Sequence, residues 1–146
     1  MSAPTVDDRL AITDITVAYC WALDTHQWSD LDDVFLPDAT AELGRPQVDG
    51  LDAIKAVVTG ALSPLDDSQH IVANHQIDVT GDTATCRCYF HAQHVRNGTD
   101  GGDNFVVAGR YEDSLRKTAD GWRIAHRRLV VMWTEGNALV IRPAAR

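Results

Sequence analysis

The stretch Gly81-Asp82-Thr83-Ala84-Thr85-Cys86-Arg87-Cys88-Tyr89-Phe90-His91-Ala92-Gln93-His94-Val95 decides the architecture. A Gly-Asp turn signal opens it. Small or apolar residues then alternate with polar ones. Ala84, Cys86, Cys88, Phe90 and Ala92 fall on one side, and Thr83, Thr85, Arg87, Tyr89 and His91 on the other. That period of two is the signature of a strand with one face in a core and one toward water. The run is long beside the ~5–6 residues of an ordinary strand.

Similar runs flank it. Ile71, Ala73, Ile77 and Val79 mark a strand before it, beginning at about His70. Asn104 to Arg116 and Trp122 to Trp133 mark two after it, joined at the turn Asp120-Gly121, with a longer Gly-rich loop from Asn97 to Asp103. Thr40 to Leu43 and Leu139 to Ile141 read as short edge strands.

The first third is helical. Thr5 and Asp8 are spaced as a capping box, and Leu10, Ala11, Ile15, Ala18, Tyr19 and Ala22 recur at helical spacing over about 6–24. Ser29 and Asp32 open a second helix burying Leu31, Val34 and Phe35, ended by Pro37. A third, with Ile54, Val57, Val58 and Leu62 on one side, runs from Asp49-Gly50 to Ser63-Pro64.

Helices followed by a run of hairpins define an α+β chain rather than βαβ units. Long strands twist and curl. The expected fold is N-terminal helices packed in the concavity of a curved mixed, mainly antiparallel sheet, a cone-like α+β barrel. Such a cone leaves room for a small-molecule site. No repeat, low-complexity tract or linker divides residues 1–146, which are read as a single domain.

The chain has 146 residues, 45% of them hydrophobic, and a formal net charge of −8. That charge disfavours nucleic acid and anionic membranes, since no basic cluster exceeds a pair such as Arg127-Arg128. The polar, acidic stretch Met1 to Arg9 does not read as a secretory signal, and no apolar run approaches the ~20 residues of a membrane span. Three cysteines, Cys20, Cys86 and Cys88, are read as reduced, buried thiols in a cytoplasmic protein.

Four residues carry candidate chemistry. Asp24 ends an apolar helix, where a carboxylate opposes the helix dipole, so a paired histidine would offset its cost. His70 opens a long strand, and histidine is the side chain suited to acid–base work near neutrality. His91 and His94 fall on opposite faces of their strand. His94 shares the apolar side and is expected to point inward, unless a bulge reverses the pair. Each also has a bland reading: a solvated loop acid, or a surface or satisfied core histidine. No closely spaced ligand pair suggests a metal, and no Walker loop, Gly-x-Ser-x-Gly elbow or Gly-x-Gly-x-x-Gly motif suggests a cofactor; none of either is expected.

The order of features resembles a known family. It runs Tyr19-Cys20-Trp21-Ala22-Leu23-Asp24-Thr25-x-x-Trp28, Asp30-x-x-x-Val34-Phe35-x-Pro37-Asp38-Ala39, then His70 and Gly81-Asp82-Thr83-Ala84. Gly109-Arg110-Tyr111-Glu112-Asp113 and Asp120-Gly121-Trp122-Arg123-Ile124 complete it. Over about residues 7–134 it is similar to a SnoaL-like (polyketide-cyclase-like) domain of the nuclear-transport-factor-2-like superfamily, nearest to scytalone dehydratase and bile-acid dehydratase relatives.

The resemblance implies a histidine base, His70, oriented by Asp24, with His94 near a second polar catalytic position. Tyr19, a further candidate, matches a tyrosine about one helical turn before the aspartate. It also implies a homo-oligomer, trimer or dimer, built on the sheet's outer face with Trp122 and Trp133 as apolar area. The substrate-reading tyrosines, serine and asparagine of scytalone dehydratase are not reproduced; Leu23 and Leu43 stand at the nearest positions.

The expected function is proton abstraction next to a carbonyl, in a dehydratase-type lyase acting on a small hydrophobic or polycyclic carbonyl compound. Isomerisation or cyclisation would begin with the same step. The rival from another class is a non-catalytic ligand-binding or oligomerisation domain, because this fold hosts many functions.

Overall fold

The computed structural model describes residues 5–142. Helix α1 (Val6–Asp24) opens on the expected capping box: the Thr5 hydroxyl accepts from the Asp8 backbone N–H at 3.0 Å. Its buried face is Ile12, Thr16, Tyr19, Cys20, Ala22 and Leu23, while Leu10 and Ala18 lie outside. The apolar stripe read from sequence is therefore rotated. Val6, Leu10, Val17 and Trp21 form a second, exposed apolar line. A helix apolar on two sides gives periodicity too little contrast to phase it.

The second expected helix is a 3₁₀ turn, Trp28–Asp33. Phe35 does not belong to it but begins strand β1 (Phe35–Leu43), which runs through Pro37. Proline has no N–H to give a ladder, and the pairing of β1 is irregular between Phe35 and Thr40. Two-residue β2 (Val48–Asp49) follows, then α2 (Leu51–Leu62), which buries Leu51, Ile54, Val58 and Leu62.

Strands β3 (Asp67–Thr80), β4 (Thr83–Val95), β5 (Asn104–Thr118) and β6 (Gly121–Gly136) form the meander. The sheet order is β2-β1-β6-β5-β4-β3, and only the β1–β6 pair is parallel. β2 and β3 are free edges, so the sheet does not close into a barrel. β1 is interior rather than an edge, because its partner β6 is far away in sequence. Leu139 to Ile141 makes no strand; Ala138–Val140 is a 3₁₀ turn capped by Asn137.

Burial alternates along β4 as the sequence predicts, with Ala84 through His94 inside. α1 packs on the inner side against β3. β3 has a bulge between Ala73 and Gln76, where Asn74 takes φ 59°. The extra residue lets His75 reach the Thr16 hydroxyl at 2.7 Å. At Gly109, beside the register break of β5 on β6, a Cβ would run into the Val130 carbonyl oxygen. Among the described residues no helix is long and apolar enough to cross a membrane.

Candidate active site

α1 ends sharply. The Gln27 N–H donates to the Ala22 carbonyl at 2.9 Å and His26 takes φ 55°, turning the chain away and leaving Asp24 as the last helical residue above β3. On β3, Ser68 and His70 are two apart and share the inner face. They converge on the carboxylate. Asp24 Oδ1 accepts from His70 Nδ1 at 2.6 Å and from Ser68 Oγ at 2.9 Å, and Oδ2 accepts from the His70 backbone N–H at 2.8 Å.

Burial alone raises the Asp24 pKa, but these donors outweigh it and hold the carboxyl below its ordinary value. The cost of an acid at a helix C-terminus is offset by three hydrogen bonds. Because the carboxylate only accepts, the His70 proton sits on Nδ1 and leaves Nε2 as the free base position.

His94 points inward and is 5% exposed, while His91 lies outside against Trp133, its ring 5.6 Å away. His94 pairs with Ser68 across the strands, and its ring stands edge-on to His70 at 5.7 Å between centroids. Its Nδ1–H donates to the Phe105 carbonyl at 3.0 Å. Burial pushes its pKa down to about 4, so at neutral pH the ring is uncharged and Nε2 carries a lone pair.

Tyr19 keeps different company. The Arg127 guanidinium lies 4.3 Å from its ring centroid and 4.0 Å from that of Tyr111, against both rings. Burial pushes the Tyr19 hydroxyl up to about 12. Arg127 is 0% exposed and makes two 2.8 Å bonds to Asp113, while its Nη1 has no hydrogen-bond partner among the described residues.

Three features escaped the sequence reading: Ser68, the Arg127–Asp113 pair and His75. Ser68 had a usable signal, lying one strand period from His70. Arg127 had none, since with Arg128 it reads as a surface basic pair. Cys20, Cys86 and Cys88 are free and buried, as expected.

A cleft of about 740 Å³ runs between α1 and β3 and reaches the pair; Asp24, Ser68 and His70 line it with Trp21, Asp67 and Gln69. A larger groove, about 860 Å³, crosses the outer face of the sheet beside Arg87, Arg110 and Arg128, and neither Asp24 nor His70 lines it. Among the described residues no three His, Cys, Asp or Glu side chains come together as metal ligands.

An open cone of six strands around an N-terminal helix is the fold of the nuclear-transport-factor-2-like superfamily. Residues 4–128 match the SnoaL-like domain, and the chain belongs to that family. An uncharacterised protein of Mycobacterium tuberculosis is 32% identical over 131 residues, 87% of each chain. The "Terrestric acid biosynthesis cluster protein E" of Penicillium crustosum is 29% identical over 140 residues, 92% of this chain and 89% of its own.

Among solved structures, the Kfla4162 protein of Kribbella flavida superposes with a TM-score of 0.87 at 24% identity, covering 93% of this chain and 97% of its own. A provisionally named scytalone dehydratase from Novosphingobium aromaticivorans gives 0.79 at 24%, covering 91% and 92%. The hexachlorocyclohexane dehydrochlorinase LinA, type 2, gives 0.80 at 16%, covering 91% and 90%. These structural likenesses establish the shared fold.

Proposed function

We propose that the protein is a dehydratase-type lyase acting on a small carbonyl compound, with His70 as its base. The observation that carries this reading is the 2.6 Å bond between Asp24 and His70 Nδ1, made by side chains that are 17% and 6% exposed beside a cleft. Two structural neighbours are named for eliminations, a dehydratase and a dehydrochlorinase.

In the proposed step, His70 Nε2 takes the proton from the carbon next to the carbonyl. The C–H electrons pass into an enolate and then into a C=C bond as the β-hydroxyl departs. The imidazolium returns its proton to that hydroxide, and water leaves. His94, uncharged and with only a lone pair at Nε2, accepts a hydrogen bond from the substrate hydroxyl rather than protonating it. Tyr19 does not line this cleft and packs against Arg127 and Tyr111 instead, so the step gives it no part. Isomerisation or cyclisation would use the same opening step.

Proton exchange tests this without knowledge of the natural substrate. In D₂O the protein should catalyse deuterium uptake next to the carbonyl of β-hydroxy ketones, followed by NMR. His70→Ala should slow it by roughly 10² to 10⁴-fold, the usual contribution of a positioned base, with an unchanged circular dichroism spectrum. Undiminished exchange in that variant removes His70 as the base. A wild-type protein inert across the panel leaves the binding or assembly reading in its place.

The outer face of the sheet carries a second, non-catalytic assignment. Ile71, His91, Ala108 and Trp133 stand in one row across β3 to β6, and Ile71 and Trp133, with Tyr89 and Met132 nearby, leave much of their apolar surface exposed. We assign this face to a homo-oligomer, dimer or trimer. Trp122 takes no part: it is 2% exposed and its Nε1–H donates to Asp8. Three free thiols suit a cytoplasmic setting.

A further inference from the structure

The protonation pattern of His94 depends on a residue of the next strand. Its Nδ1–H donates to the Phe105 carbonyl at 3.0 Å, and the Phe105 ring lies tilted against the imidazole at 6.3 Å between centroids. Which nitrogen of a neutral imidazole carries the proton follows from the hydrogen bond that the ring makes. The Phe105 carbonyl therefore keeps the lone pair of His94 on Nε2. Yet Phe105 is only the second residue of β5, a place where a strand would ordinarily fray.

The end of β6 clamps it. Phe105 is the register partner of Gly136, the last residue of β6, and the Asn137 backbone N–H donates to the Asn104 carbonyl at 2.8 Å. Gly136 takes φ 95°, and a Cβ there would stand 2.4 Å from the Asn104 carbonyl oxygen and 3.3 Å from Phe105 Cα. The strands approach this closely only because the position is glycine. The Asn137 side chain then ties the loop before β5 to the turn after β6. Its Nδ2 donates to the carbonyls of Asp100 at 2.8 Å and Gly102 at 2.9 Å, and its Oδ1 accepts from the Leu139 N–H at 3.2 Å. Both amide donors are thus used. Val140, 1% exposed, seats the turn on the core. From the opposite side, Gln93 Nε2 donates to Asn104 Oδ1 at 3.3 Å.

We propose that Asn137 is a positioning residue for His94, holding the Phe105 carbonyl in place and through it the tautomer of the imidazole. The proposal rests on the reading of His94 as an acceptor beside His70. Without the Asn137 amide, the loop 97–103 and the start of β5 lose their tie to β6, and the Phe105 carbonyl moves off Nδ1. The ring proton then divides between the two nitrogens. An acceptor for the substrate hydroxyl becomes, for part of the time, a donor.

Long-range proton–nitrogen correlation spectra at pH 8 test this, with the His94 signals identified by their loss in His94→Phe. Protonated and unprotonated ring nitrogens have well-separated shifts, and the wild type should carry its proton on Nδ1 alone. Asn137→Ala should draw the two shifts toward each other with circular dichroism unchanged. Deuterium uptake should fall about 10- to 100-fold, in line with the loss that a misplacement of about 1 Å brings. Asn137→Asp keeps the acceptor for Leu139 and loses both donors, so it should move the shifts in the same way; it also serves where the alanine variant fails to fold. Asp100→Ala removes an exposed side chain but keeps the carbonyl that Asn137 bonds, and should leave both shifts in place. Shifts unmoved in the Asn137 variants, or a wild-type proton on Nε2, overturn the proposal, as does loss of the fold in both variants. The spectra need no turnover. A protein inert in the exchange assay would lose the proposed reaction and keep this contact measurable, and a tautomer indifferent to Asn137 would leave His70 as base.

Discussion

At the scale of single residues, the balance at Asp24 sets the acid limit of the pair. Its carboxyl is held low because three donors outweigh burial, and Ser68 is one of them. Ser68→Ala should raise the Asp24 midpoint and move the acid limb of the exchange profile to higher pH, whereas Ser68→Thr, which keeps the hydroxyl, should restore it. His94 works on stability. Its folded pKa of about 4 lies below the ordinary 6.5, so between those values the unfolded chain binds more protons and stability falls as the pH falls. The urea midpoint should drop from pH 7 to pH 5, and His94→Phe should flatten the drop. His75, also pushed down by burial, retains some of it. Asp24 and His70 were legible in the sequence because each stands at an element end where its type needs explaining. Arg127 was hidden because nothing local distinguishes an arginine facing the core from its neighbour facing water.

At the scale of elements, the N-terminus of α1 is clasped to the meander through one side chain. Asp8 accepts from Thr5, from Lys117 Nζ at 3.1 Å and from Trp122 Nε1 at 3.0 Å, and its pKa is lowered to about 2, chiefly by the Trp122 bond. The clasp contributes fully above the ordinary value of 3.8 and is lost as the pH falls through 2. Asp8→Ala should speed hydrogen exchange in the first turn of α1 and alter Trp122 fluorescence, with Thr5→Ser close to wild type. The capping box and the alternation of β4 were both readable, since each is a rule about neighbours in sequence. Phe35 was not. Leu31, Val34 and Phe35 have helical spacing and Pro37 looks like a stop, while the strand that claims Phe35 is β6, whose Ile124 lies opposite it.

At the scale of the whole molecule, the Arg127–Asp113 pair ties β5 to β6 inside the cone. Removing one member strands the other charge, so Arg127→Met should cost about 3–5 kcal/mol in urea unfolding, and Arg127→Met with Asp113→Leu should recover most of it. On the outer face, Trp133→Lys should reduce the assembly to the 16.0 kDa of one chain by light scattering; a wild type already at that mass removes the oligomer. The parallel pairing of β1 with β6 has a consequence for biogenesis. On the ribosome, β1 emerges early and its only long neighbour emerges last, so Phe35 and Ala39 wait uncovered while the meander is made. Nascent chains stalled before Gly121 should be sticky and chaperone-dependent, and release of the final strand should end that dependence.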